Sequence, residues 1–132
     1  MTKIDLTLFY NSSDLSQYQN VQETNLYSDL ETTKVAGIAI YNLLTTIING
    51  SNNVDIESVT YFIGDDLTDC IFFNYSLYNK SVGNKFSPGY YIFAITGGQG
   101  KYLNAEGNVY IYVSDAPKFT RFVRVIGEAP EI

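Results

Sequence analysis

Histidine and tryptophan are absent from the chain, cysteine occurs once and proline three times. Without histidine, the commonest general base and the commonest transition-metal ligand are gone, which excludes serine and cysteine triads that depend on it. A lone Cys70 excludes an internal disulfide. Cationic side chains are scarce too: eight Lys and Arg stand against fourteen Asp and Glu, for a net charge of −6. Both arginines, Arg121 and Arg124, lie on one segment, so no basic stripe exists to neutralise phosphates, and nucleic acid is not an expected partner. No stretch is uniformly apolar for the length a bilayer needs, and MTKIDLTLFYNSSDL lacks the apolar centre of an export signal. The expectation is a soluble chain, cytoplasmic by default, with no membrane insertion, no cofactor and no metal.

What the chain does have is tyrosine. Twelve Tyr and eight Phe bring the aromatic content to 15%, and 45% of residues are hydrophobic against 17% charged. That composition is globular, and aromatic rings pack well on a pleated sheet. At 132 residues the chain forms one domain, 1–132. Turn signals recur at 11–14, 28–34, 49–53, 64–66, 79–89, 97–101 and 114–118, and the runs between them are rich in Val, Ile, Tyr, Phe and Thr. This spacing predicts seven or eight strands. Segment 34–48, KVAGIAIYNLLTTII, fits helix or strand by its Ala and Leu, but its β-branched residues and Gly37 favour strand.

Several runs are apolar on both faces. In NVYIYV, 108–113, Val109, Ile111 and Val113 fall on one face and Tyr110 and Tyr112 on the other. A sheet covered on both sides with little helix to cover it must close on itself and bury its outside against another subunit. The reading is an all-β chain folded as a small antiparallel barrel with an aromatic-lined interior, in an oligomer of its own copies.

The stretch AITGGQGKYLNAEG, 94–107, is rich in glycine and carries a lysine, yet it is followed by a strand and lacks the spacing of a phosphate-binding loop. Gly97, Gly98 and Gly100 are read as structural turn residues between antiparallel strands, and Gly107 as a bend at a barrel corner. Lys101 is then a solvated turn residue.

The same stretch resembles plant allene oxide cyclases and, more distantly, dirigent proteins, which carry a segment of the form A-I-T-G-G-x-G-x-[FY]-x-x-A-x-G-x-V. The likeness continues through PKFTRFVRVIG at 117–127, VQETNLY at 21–27, KVAGIAI at 34–40 and FFNYSLY at 72–78, and so covers most of residues 20–127. It implies an eight-stranded barrel, usually trimeric, with a hydrophobic pocket running into one end. The cyclases isomerise an unstable fatty-acid epoxide with a carboxylate, an asparagine-held water and an aromatic pocket, chemistry that needs no histidine.

Carried over residue by residue, the family's site is thin. If VQE and Tyr27 set the register, the family's catalytic Glu falls on Ser28 and its neighbouring Asn on Leu30. A second register places the Glu-x-Asn pair on Glu23 and Asn25, which project from one strand face. The pocket cysteine falls near Leu43, and Tyr75 transfers directly. Each residue also has a plain structural role. Glu23 is then a solvated strand carboxylate, Asn25 a surface amide, Tyr75 a core ring with its hydroxyl at a barrel mouth, and Cys70 a small buried apolar residue. Asp65, Asp66 and Asp69 read as a solvated acidic turn, because they lack the ligand spacing of a calcium loop. Arg121 and Arg124 point to opposite strand faces. The sequons at Asn11, Asn49, Asn74 and Asn79 are read as unmodified.

Three functions follow. The first is a non-catalytic barrel subunit of a homo-oligomer, a trimer or a larger assembly. The second is a cofactor-free isomerase or cyclase that shapes a reactive apolar substrate with Glu23, Asn25 and Tyr75. The third is a carrier of a small apolar ligand. An interior filled with tyrosine and phenylalanine favours the first; a cavity favours the other two.

Overall fold

The computed structural model describes residues 1–48, 52–78, 89–113 and 121–131. Among these residues there are nine strands: β1 (Thr2–Phe9), β2 (Ser16–Tyr18), β3 (Val21–Tyr27), β4 (Val35–Ile48), β5 (Asn52–Ile63), β6 (Cys70–Tyr78), β7 (Gly89–Gln99), β8 (Glu106–Val113) and β9 (Arg121–Ala129). They pair in the order β1-β9-β8-β7-β6-β5-β4-β3-β2, each antiparallel to its neighbour. A further pair, Phe9↔Tyr27, joins β1 to β3 and closes eight of the strands into a barrel, with β2 paired to β3 beside the seam. The sequons at Asn49 and Asn79 and the Pro117–Lys118 pair lie outside the described residues, as does the Arg121 side chain.

The segment that fitted helix or strand is β4, and its ladder to β5 runs from Gly37↔Ile63 to Ile48↔Asn52. A Cβ at Gly37 would lie 2.0 Å from the Phe62 carbonyl oxygen, so glycine is what lets these two strands approach. Strand pairing therefore overrides the neutral propensity of Ala36, Ala39, Leu43 and Leu44.

Residues paired directly across strands share a face. Ala39↔Tyr61↔Ile71 and Tyr41↔Val59↔Phe73 point inward and are all buried. On β8, Val109, Ile111 and Val113 point inward, while Tyr110 and Tyr112 point out. The core is thus the barrel interior, aliphatic along β1, β8 and β9 and crossed by a run of aromatic rings from Tyr10 and Tyr41 to Tyr75. Tyr61 meets Tyr10 and Phe73 edge-on, and Phe73, Tyr75 and Phe93 continue the contacts with ring centroids 4.9–6.4 Å apart.

The two ends differ. At the lower end, Tyr102 is the last residue of a 3-10 turn, Gly100–Tyr102, Ala105 follows it, and both are buried in the core. At the upper end, where β4, β6 and β8 finish and β5, β7 and β9 begin, the inward-facing Tyr91 and Phe93 are only half-buried.

Candidate functional site

The glycine stretch forms the lower end. Gly97 sits beside the register shift between β6 and β7, and Gly97, Gly100 and Gly107 all have positive φ. Gly100, at φ 64°, lets the Asp69 carboxylate approach: a Cβ there would lie 2.0 Å from Asp69 Oδ1, which instead accepts the Lys101 N–H at 3.0 Å. A Cβ at Gly98 would lie 2.4 Å from the Tyr102 carbonyl and 2.6 Å from that of Cys70. These contacts are with the protein's own backbone and carboxylate. Lys101 is exposed, its Nζ 5.2 Å from the centre of the Tyr102 ring. Asp65 and Asp66 are exposed. Among the described residues no group of three or more Cys, Asp or Glu is placed to hold a metal ion. Cys70 is buried, and burial pushes its thiol above the usual range.

Glu23, Asn25 and Tyr75 do not converge. Thr24 and Leu26 take the inner face of β3, so Glu23 and Asn25 point out, opposite Ile40 and Ile38. Glu23 is exposed; Asn25 Nδ2 donates to the Tyr27 hydroxyl at 3.3 Å, and that hydroxyl donates to Asp14. The Asp14 bond raises the pKa of Tyr27. Ser28 and Leu30, the positions of the other register, are also exposed. Tyr75 alone lies inside the barrel.

What Tyr75 meets there is Glu57. The two sit directly across β5 and β6, and the Tyr75 hydroxyl donates to Glu57 Oε2. Glu57 is 5% exposed and Leu43 pairs with it on the other side, so the carboxylate is set into the upper part of the interior. The stacked rings of Tyr75, Phe93 and Tyr91 lead from it toward the upper end. Deeper, the Tyr10 hydroxyl bonds to that of Tyr61, and burial foremost, then the neighbouring Tyr41 and Tyr61, holds its pKa well above 10.

Glu57 was not singled out by sequence reasoning, and the cause is local. In VDIESVTYFI, 54–63, both alternating sets mix polar and apolar residues: Asp55, Glu57, Val59, Tyr61, Ile63 against Val54, Ile56, Ser58, Thr60, Phe62. Only the Val59, Tyr61, Ile63 end of the first set marks it as the inner face.

No protein-family description matches the sequence, and no curated protein matches it. Among solved structures, one similar to the chain is that of the pterocarpan synthase dirigent protein GePTS1, with a TM-score of 0.60 and 11% sequence identity, over 98% of this chain and 89% of that one. The expected eight-stranded antiparallel barrel is therefore the fold of this protein, and it is a dirigent-like barrel.

Proposed function

We propose that the upper end of the barrel receives a small apolar molecule and that Glu57, held by Tyr75, exchanges a proton with it or stabilises positive charge developing on it. The observation that carries this reading is a buried carboxylate, Glu57, on an inner face that among the described residues is otherwise apolar apart from Thr24 and the tyrosine hydroxyls. Burying a carboxylate is unfavourable for folding, and a barrel used only as a building block gains nothing from it. Half-exposed Tyr91 and Phe93 supply apolar walls beside it. A carboxylate and a phenol together suit proton transfer, so the reaction class is isomerisation, cyclisation or elimination. The dirigent-like fold supports the reading by analogy, since its solved neighbour is a synthase by name.

The test is native mass spectrometry of the chain with a panel of apolar ring compounds, followed by turnover of whichever is retained, with Glu57→Gln alongside. The expected result is a retained compound whose conversion is lost in Glu57→Gln while the melting temperature holds or rises. A Glu57→Gln protein that converts the compound at the wild-type rate, or that unfolds, assigns Glu57 to structure.

A second reading, the non-catalytic subunit, is favoured by the aromatic rings in mutual contact through the middle of the barrel. Under it, the panel leaves no bound mass.

A further inference from the structure

The outer face of β7, β8, β9 and β1 carries a patch of exposed apolar side chains, Tyr90, Ile92, Tyr112 and Ile126. Its registers form three mainly apolar rows across the strands, Tyr90, Tyr112, Phe122, Phe9; then Ile92, Tyr110, Arg124, Thr7; then Ala94, Asn108, Ile126, Asp5, followed by a charged row of Glu106, Glu128 and Lys3. Tyr90 is 59% exposed, Ile92 56% and Tyr112 50%. With their neighbours they present roughly 400–500 Å² of apolar surface, within the roughly 300–600 Å² of a typical monomer's largest patch, and two such faces approach the roughly 1,000 Å² of a specific interface.

We propose that this face binds a second copy of the chain, in a two-fold pair whose axis runs along the strands between β8 and β9. The pattern of the face selects that partner. A half-turn about this axis sets β8 against β9 of the other copy and β7 against β1. The aromatic row then meets itself, Tyr112 against Phe122 and Tyr90 against Phe9, while Tyr110 meets Arg124. Arg124 is the one cation in the three rows and Asp5 the one anion, and they form an ion pair at 3.3 Å. A chain of net charge −6 thereby docks through three rows that carry no net charge, with the charged Glu106, Glu128 and Lys3 row at the rim of the contact, and each guanidinium lies over a tyrosine ring of the other copy. This inference is independent of the proton-transfer reading, because none of these residues faces the barrel interior.

The experiment is sedimentation of the full chain across a concentration series, with Tyr112→Asp, Tyr110→Lys and Arg124→Glu, each checked for an unchanged strand signal by circular dichroism. The expected result is a reversible dimer weakened at least roughly tenfold by each variant. Mixing Tyr110→Lys with Arg124→Glu restores it as a mixed dimer, since one Lys–Glu pair replaces one Arg–Tyr contact. A chain that is monomeric at every concentration overturns the proposal and leaves the face to a different protein. A trimer or an open-ended assembly overturns the two-fold pairing, and a dimer indifferent to all three variants overturns the choice of face.

Discussion

Tyr75 and Glu57 face each other across β5 and β6 inside the barrel, the phenol donating to the carboxylate. Removing the donor leaves the acceptor buried with one partner fewer. Tyr75→Phe keeps the ring and its stacking on Phe93, so it isolates this hydrogen bond. The expected loss is about 1–3 kcal/mol, read by urea unfolding. A loss near zero would mean that water replaces the phenol at Glu57.

Glu23→Ala tests the register that placed Glu23 with Asn25 and Tyr75. Glu23 points outward and is exposed, so the change is expected to move stability by no more than about 0.5 kcal/mol and to leave any bound molecule in place. Loss of turnover in Glu23→Ala with Glu57→Gln still active would move the site to the outer face of β3.

Phe73 lies at the centre of the aromatic contacts, touching Tyr61, Tyr75 and Phe93. It is fully buried. Phe73→Ala is expected to cost about 3–5 kcal/mol and to lower the denaturation midpoint accordingly.

Alkaline pH should unfold the protein through Tyr10. Its folded pKa is raised well above 10 while the unfolded chain ionises near 10, so its contribution is complete below that pH and is lost as pH climbs toward the folded value. Denaturation midpoints are expected to fall above about pH 10. Tyr10→Phe should flatten that slope, at a cost of about 1–2 kcal/mol at neutral pH because Tyr61 loses a partner. An unchanged alkaline slope in Tyr10→Phe would assign the effect to other tyrosines.

Gly98→Ala is expected to prevent normal folding, because its Cβ meets two backbone carbonyls that have no slack. Gly100→Ala is milder. It places an L residue at φ 64°, at about 1–2 kcal/mol, and displaces the Asp69 carboxylate from the Lys101 N–H. Thermal melts of the two variants should rank in that order; the reverse would mean that the Asp69 bond holds the lower end more firmly than the β6–β7 approach does.

The all-β character of the chain was legible in the sequence, because it rests on local chemistry. Period-two alternation in NVYIYV names Val109, Ile111 and Val113 as one face, and β-branched residues with Gly37 mark β4 as strand. What local chemistry does not carry is which face of a mixed strand turns inward. Residues 54–63 offer two nearly equivalent sets, and β3 offers Glu23 and Asn25 or Thr24 as the inner side. That choice is made by register: Leu43↔Glu57↔Tyr75 and Thr24↔Ala39 fix it only once the strands pair around the closed barrel. Sequence determined that the chain is a sheet with aromatic residues on both faces. Closure through Phe9↔Tyr27 decided that Glu57 is buried and Glu23 solvated, because a one-residue slip exchanges inside for outside along a whole strand.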